Sequence, residues 1–152
     1  MGQMIQALNL LLVDDDPSEF IFLEDALEAN GAGHVLRYAE SGRAALNQLR
    51  DFTPDVIMLD LRMPGMSGFD VLKAVRADPS LAGSAIMVLS NSAIAADRKQ
   101  ALALGAQDYQ VKPLTPDGYT DLVDAMVKLA NRARFAPHDR AETEAETEAE
   151  TG

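Results

Sequence analysis

With 152 residues, 47% of them hydrophobic and 24% charged, the chain is long enough to bury one sizeable core, and its length excludes a large multidomain machine. The net charge of −11 belongs to the body as well as to residues 139–152, where six acids meet only Arg140. It argues against nucleic-acid binding by phosphate neutralisation, and the lack of cysteine excludes disulfides and thiolate chemistry. No apolar run reaches the roughly 18 residues of a membrane span and the start lacks a signal peptide's basic and apolar regions, so a cytoplasmic address is the default expectation.

Asn9-Leu10-Leu11-Leu12-Val13 is an apolar run of strand length, read as a strand buried on both faces, and it ends in Asp14-Asp15-Asp16-Pro17. Proline suits the first position of a helix and aspartate the cap before it, so Asp16 is read as a helix cap, which leaves Asp14 and Asp15 without a capping role. Phe20, Leu23 and Leu27 repeat at helical spacing up to Asn30-Gly31, where the helix is expected to close.

Residues 34–39 read as a partly exposed edge strand, and Ser41-Gly42 opens a helix carrying Ala45, Leu46 and Leu49. His34 has no second ligand-type residue at metal spacing and is read as an ordinary surface histidine. Val56-Ile57-Met58-Leu59 is the central strand, bounded by Thr53-Pro54 and Pro64-Gly65, with Asp60 at its carboxyl end. Ser67 with Asp70 three residues on is close to a capping box for a helix burying Phe69, Val71, Leu72 and Val75.

Ala85-Ile86-Met87-Val88-Leu89 is a fourth buried strand ending at Ser90, followed by a helix over about 93–104 that Gly105 ends. Asp108-Tyr109-Gln110-Val111 is a short fifth strand ending at Lys112-Pro113. The last helix is expected over about 116–134, with Leu122, Val123, Met126, Val127, Leu129 and Ala130 forming a broad apolar stripe. Residues 135–152 are acidic and almost without apolar side chains, and are expected to be a disordered tail behind a domain of residues 1–134; the helix-forming alanines and glutamates make a continuation of the last helix the competing reading.

Strands alternating with helices predict an α/β fold with right-handed crossovers. In a parallel sheet of that kind, ligands sit outside the carboxyl ends of the strands. Four of those ends carry Asp14 and Asp15, Asp60, Ser90, and Lys112. Clustered carboxylates repel one another unless a cation is present, and oxygen-only ligation selects Mg²⁺. A cation with Lys112 beside it suits phosphoryl transfer, which mostly needs three oxygens neutralised and the two ends held in line.

Val13-Asp14-Asp15, Leu59-Asp60-Leu61-Arg62-Met63-Pro64-Gly65, Leu89-Ser90 and Tyr109-Gln110-Val111-Lys112-Pro113 together resemble the receiver domain of two-component response regulators, over about residues 8–132. The resemblance implies a doubly wound, flavodoxin-like five-stranded parallel sheet of order 2-1-3-4-5. It implies that Asp60 is the phosphoacceptor, that Asp14, Asp15, Asp60 and the backbone carbonyl of Arg62 hold Mg²⁺, that Lys112 and Ser90 meet phosphate oxygens, and that Tyr109 is a switch aromatic. It also implies a cis Lys112-Pro113 peptide. Arg62 and Ser92 are expected to flank the path of attacking water, with the Arg62 cation slowing self-dephosphorylation.

The expected function is therefore a stand-alone phosphorylation switch, with a sensor histidine kinase, phytochrome-type kinases among the candidates, as phosphodonor and a downstream effector protein as reader. Neither nucleic acid nor membrane is expected as a partner. The width of the last helix's stripe hints at a homodimer through that helix. Two rivals share features with this reading: an unphosphorylated receiver-like binding module, and a phosphatase of the haloacid dehalogenase type. The latter carries a second aspartate two residues after its nucleophile, where this chain has Arg62.

Overall fold

In a computed structural model the chain is described over residues 7–91 and 93–151, with side chains as far as residue 133. The apolar runs become five parallel strands, β1 (Asn9–Val13), β2 (Val35–Ala39), β3 (Val56–Leu59), β4 (Ala85–Ser90) and β5 (Asp108–Val111), in the order β2-β1-β3-β4-β5. Every residue of β3 and β4 is buried, whereas edge strand β2 alternates, which is why the central strands read as continuous apolar runs and the edge did not.

The strands' period of two divides the core into two layers. Leu11, Val13, Ile57, Leu59, Ile86 and Val88 face α2 (Gly42–Gln48), α3 (Gly68–Ala77) and α4 (Ala95–Ala103). Leu10, Leu12, Met58, Met87 and Leu89 face α1 (Pro17–Asn30) and α5 (Pro116–Thr151). Each fully buried leucine, isoleucine or methionine contributes about 1.5–3 kcal/mol, so the buried sheet is a firm base for whatever projects from its carboxyl edge.

The helices begin where the short polar residues direct. Asp16 accepts from the Ser18 N–H at 2.9 Å to cap α1, and Gly31, at φ 75°, closes it. Ser67 and Asp70 form the full capping box of α3. In α5, Leu122, Val123, Met126, Leu129 and Ala130 are all buried against the β1 and β4 layer and α1, and Val127 packs on the same cluster. The width that suggested a dimer face is accounted for by packing within the chain.

Two features differ from the sequence reading. The α5 backbone runs helical to Thr151, past the helix end expected near residue 134 and along the continuation held as the competing reading; alanine and glutamate rank high in helix propensity. No cis peptide occurs among the described residues, so the Lys112-Pro113 bond is trans, correcting the expectation drawn from the resemblance. The trans form is the lower-energy one for X-Pro bonds generally.

Candidate functional site

Because all five strands are parallel, their carboxyl ends open on one edge of the sheet. The first residue beyond each of β1, β3 and β5 is held by one further ladder hydrogen bond. The Asp14 N–H donates to the Ala39 carbonyl at 3.1 Å, the Asp60 N–H to the Val13 carbonyl at 2.9 Å and the Lys112 N–H to the Ser90 carbonyl at 2.8 Å. The backbones under these three side chains are thus continuous with the sheet, which makes the site rigid at its base.

The loop after β3 has to return sharply to reach α3. Gly65 takes φ 76°, and the Gly68 N–H donates to the Leu61 carbonyl at 3.0 Å. A Cβ on Gly68 would collide with the Asp60 carbonyl oxygen, so only glycine lets α3 start this close to the site.

The Lys112 ammonium lies 2.8 Å from Asp14 Oδ2 and 3.6 Å from Asp60 Oδ2, with all three side chains almost fully buried. Asp15, exposed beside them, completes a group whose carboxylate oxygens lie within 4.8 Å of one another. Asp14 Oδ1 also accepts from the Asp16 N–H at 2.9 Å, and Asp60 Oδ1 accepts from the Arg62 N–H at 3.3 Å. A crevice of about 520 Å³ opens above, lined among others by Asp15, Asp60, Arg62, Ser90 and Lys112. Asp14 is wholly buried behind Lys112 and does not line the crevice.

Burial pushes the Asp60 carboxyl up to about 6, and the charges of Asp14 and Asp15 add to the rise while Lys112 opposes it. Burial alone would lower Lys112, but its hydrogen bond to Asp14 and the charges of Asp14 and Asp60 outweigh that and hold it above its ordinary value. Three carboxylates and one ammonium leave a surplus of negative charge. An oxygen-only donor set of this kind fits a hard divalent cation.

The strand-end residues Asp14, Asp15, Asp60, Ser90 and Lys112 therefore converge as the sequence indicated. Tyr109 does not line the crevice; it is buried in the core layer with Val88, Ala101 and Ala106. Ser92 lies outside the described residues.

Two pairings were not anticipated. The Arg62 side chain leaves the β3 loop and reaches α4, where Nη2 donates to Asp97 Oδ1 at 2.8 Å and Oδ2 at 2.7 Å. Tyr119, in the first turns of α5, donates its hydroxyl to both oxygens of buried Glu19 on α1, at 3.0 and 2.9 Å. Burial raises the Glu19 carboxyl above its usual range, and burial with Glu19 alongside raises the Tyr119 phenol. Each partner lies on a different element, and nothing in local spacing links them.

The five-stranded parallel fold and the position of this crevice are those of a receiver domain, and comparison with known proteins shows the family. Residues 10–124 match the family model described as response regulator receiver domain. The chain is 38% identical over 108 residues to the DNA-binding response regulator MtrA of Mycolicibacterium smegmatis, covering 71% of this chain and 45% of that protein. Among solved structures, the chemotaxis protein CheY4 of Vibrio cholerae superposes with a TM-score of 0.69 at 30% identity, covering 80% of this chain and 98% of the other. A phosphorylated cyanobacterial phytochrome response regulator, RcpA, superposes with a TM-score of 0.73 at 25% identity, covering 79% and 91%.

The chain belongs to the response regulator receiver family. It spans about half the length of the curated relatives it matches. Among the described residues no helix is long and apolar enough to cross a membrane.

Proposed function

We propose that the chain is a phosphorylation switch in which Asp60 accepts a phosphoryl group from a phosphohistidine of a sensor kinase. The reading is carried by one observation: the buried Lys112 ammonium stands between the Asp14 and Asp60 carboxylates beside a crevice that Asp60 and Lys112 line. A carboxylate oxygen of Asp60 attacks phosphorus as the P–N bond breaks, the electron pair leaves with the imidazole nitrogen, and that nitrogen takes a proton from solvent.

Asp14, Asp15, Asp60 and the Arg62 backbone carbonyl are the proposed holders of Mg²⁺, which would neutralise charge on the transferring oxygens. Lys112 is already desolvated and oriented, so it pairs with a phosphate oxygen without reorganising. The Ser90 hydroxyl, buried at the end of β4, would donate to a second oxygen, and Tyr109, buried in the core layer on the neighbouring strand β5, would be the switch aromatic. Asp14 holds Lys112 in place and keeps it charged.

Signalling would follow from a change in the face formed by α4, β5 and α5, read by a downstream protein. The excess negative charge of the chain favours a protein reader over nucleic acid. RcpA is a phytochrome response regulator by name, and a phytochrome-type kinase is accordingly one candidate donor.

Incubation with acetyl phosphate and Mg²⁺, followed by intact mass spectrometry, tests the reading. One phosphoryl adduct that needs the divalent ion is expected. No adduct would favour an unphosphorylated binding module, and continuous release of phosphate over many equivalents would favour a hydrolase.

A further inference from the structure

The Arg62 guanidinium belongs to the phosphoacceptor's own loop, two residues beyond Asp60, and lines the same crevice. Yet both of its described hydrogen bonds go to α4. Its Nη2 meets the two Asp97 oxygens at 2.8 and 2.7 Å, and while the Arg62 side chain is 64% exposed, that of Asp97 is only 10% exposed. A carboxylate so far from water depends on its cation more than the cation depends on it.

Among the residues of helix α4 only Asp97 and Ala101 are buried. One of its two buried anchors is thus the carboxylate that Arg62 grips.

A guanidinium fork fits phosphate as well as carboxylate, and a phosphoryl group on Asp60 would bring a dianion into the crevice that Arg62 already lines. We propose that Asp97 is the counter-ion that Arg62 exchanges for the phosphoryl group, so that phosphorylation of Asp60 releases α4. This rests on the phosphoacceptor reading of Asp60 and adds the device that carries its state to the helix.

The coupling is reciprocal: if a phosphoryl mimic on Asp60 weakens the grip on Asp97, then removing the Asp97 charge strengthens binding of the mimic by the same factor. Full-length wild type and Asp97→Asn are compared with and without beryllofluoride and Mg²⁺, reading amide hydrogen exchange in α4 and the affinity for beryllofluoride.

In wild type the mimic raises exchange in α4 several-fold while α1 is unchanged. In Asp97→Asn, α4 exchanges at the raised rate without the mimic, and beryllofluoride binds about fivefold or more tighter. Exchange in unliganded Asp97→Asn equal to wild type, with unchanged affinity, would overturn the proposal. Arg62→Met, which removes the cation, gives a second reading should Asp97→Asn fold poorly: it too loosens α4 without the mimic, and an α4 as protected as in wild type would overturn the exchange. Failure of the receiver reading itself is visible separately, as absence of beryllofluoride binding and of a phosphoryl adduct in wild type.

Discussion

Lys112 Nζ is 2.8 Å from Asp14 Oδ2 and 3.6 Å from Asp60 Oδ2, so one buried ammonium serves two buried carboxylates on different strands. Lysine at the end of β5 is thereby a structural counter-ion as well as a candidate phosphate ligand, and removing it has a stability cost that a surface lysine would not show. In Lys112→Met, without divalent ions, urea denaturation should report a loss of about 3 kcal/mol at pH 7.5. The loss should shrink towards pH 5, where Asp60, whose carboxyl burial already raises, takes up a proton.

The raised carboxyl of Asp60 predicts a pH dependence of definite sign. Its folded value of about 6 lies above the ordinary 3.8, so its contribution to stability is fully present below the unfolded value and is lost as pH rises through about 6. Asp60→Asn should therefore stabilise the metal-free protein by about 2–3 kcal/mol at pH 8 and by little at pH 4. Because a bound cation needs the ionised form, Mg²⁺ affinity measured calorimetrically should weaken by about tenfold per pH unit below pH 6.

Close approach of α3 to the Asp60 backbone makes Gly68 sensitive to a single methyl group. In Gly68→Ala the new Cβ meets the Asp60 carbonyl, and the expected cost is about 1–3 kcal/mol in thermal or urea unfolding, with weaker Mg²⁺ binding as Asp60 is displaced. Gly83→Ala is the control: its Cβ would enter open space, and its effect should stay within about 0.5 kcal/mol.

The Tyr119 hydroxyl satisfies a carboxylate that burial already disfavours. Tyr119→Phe leaves both Glu19 oxygens without that donor and should cost about 1–3 kcal/mol at pH 8. Glu19 has a raised carboxyl in the fold, so the cost should fall as the solution is acidified and Glu19 becomes protonated. Denaturation curves of the two proteins at pH 8 and pH 5 check both the size and the direction.

The parts of this architecture that the sequence displayed are those with a short-range signature. Buried parallel strands such as β3 and β4 are unbroken apolar runs, Asp16 and Ser67 announce their helices, and parallel connectivity sends Asp14, Asp60, Ser90 and Lys112 to one edge. Contacts between distant elements were hidden for the opposite reason. Arg62 and Asp97 are 35 positions apart, and Glu19 and Tyr119 are 100 apart, so the first pair is set by how the loop after β3 meets α4, the second by how α1 and α5 pack, and neither by a local pattern. The trans Lys112-Pro113 bond went against an expectation borrowed from family likeness, where the chain's own residues offered no signal either way.

The central claim is that the carboxyl of Asp60 becomes the acyl phosphate of the switch. After phosphorylation with acetyl phosphate and Mg²⁺, reduction with borohydride converts an aspartyl phosphate to homoserine, which peptide mass spectrometry locates. The account predicts homoserine at position 60 alone and no phosphoryl uptake in Asp60→Asn. Homoserine at another aspartate of the wild type, or uptake undiminished in Asp60→Asn, would contradict it.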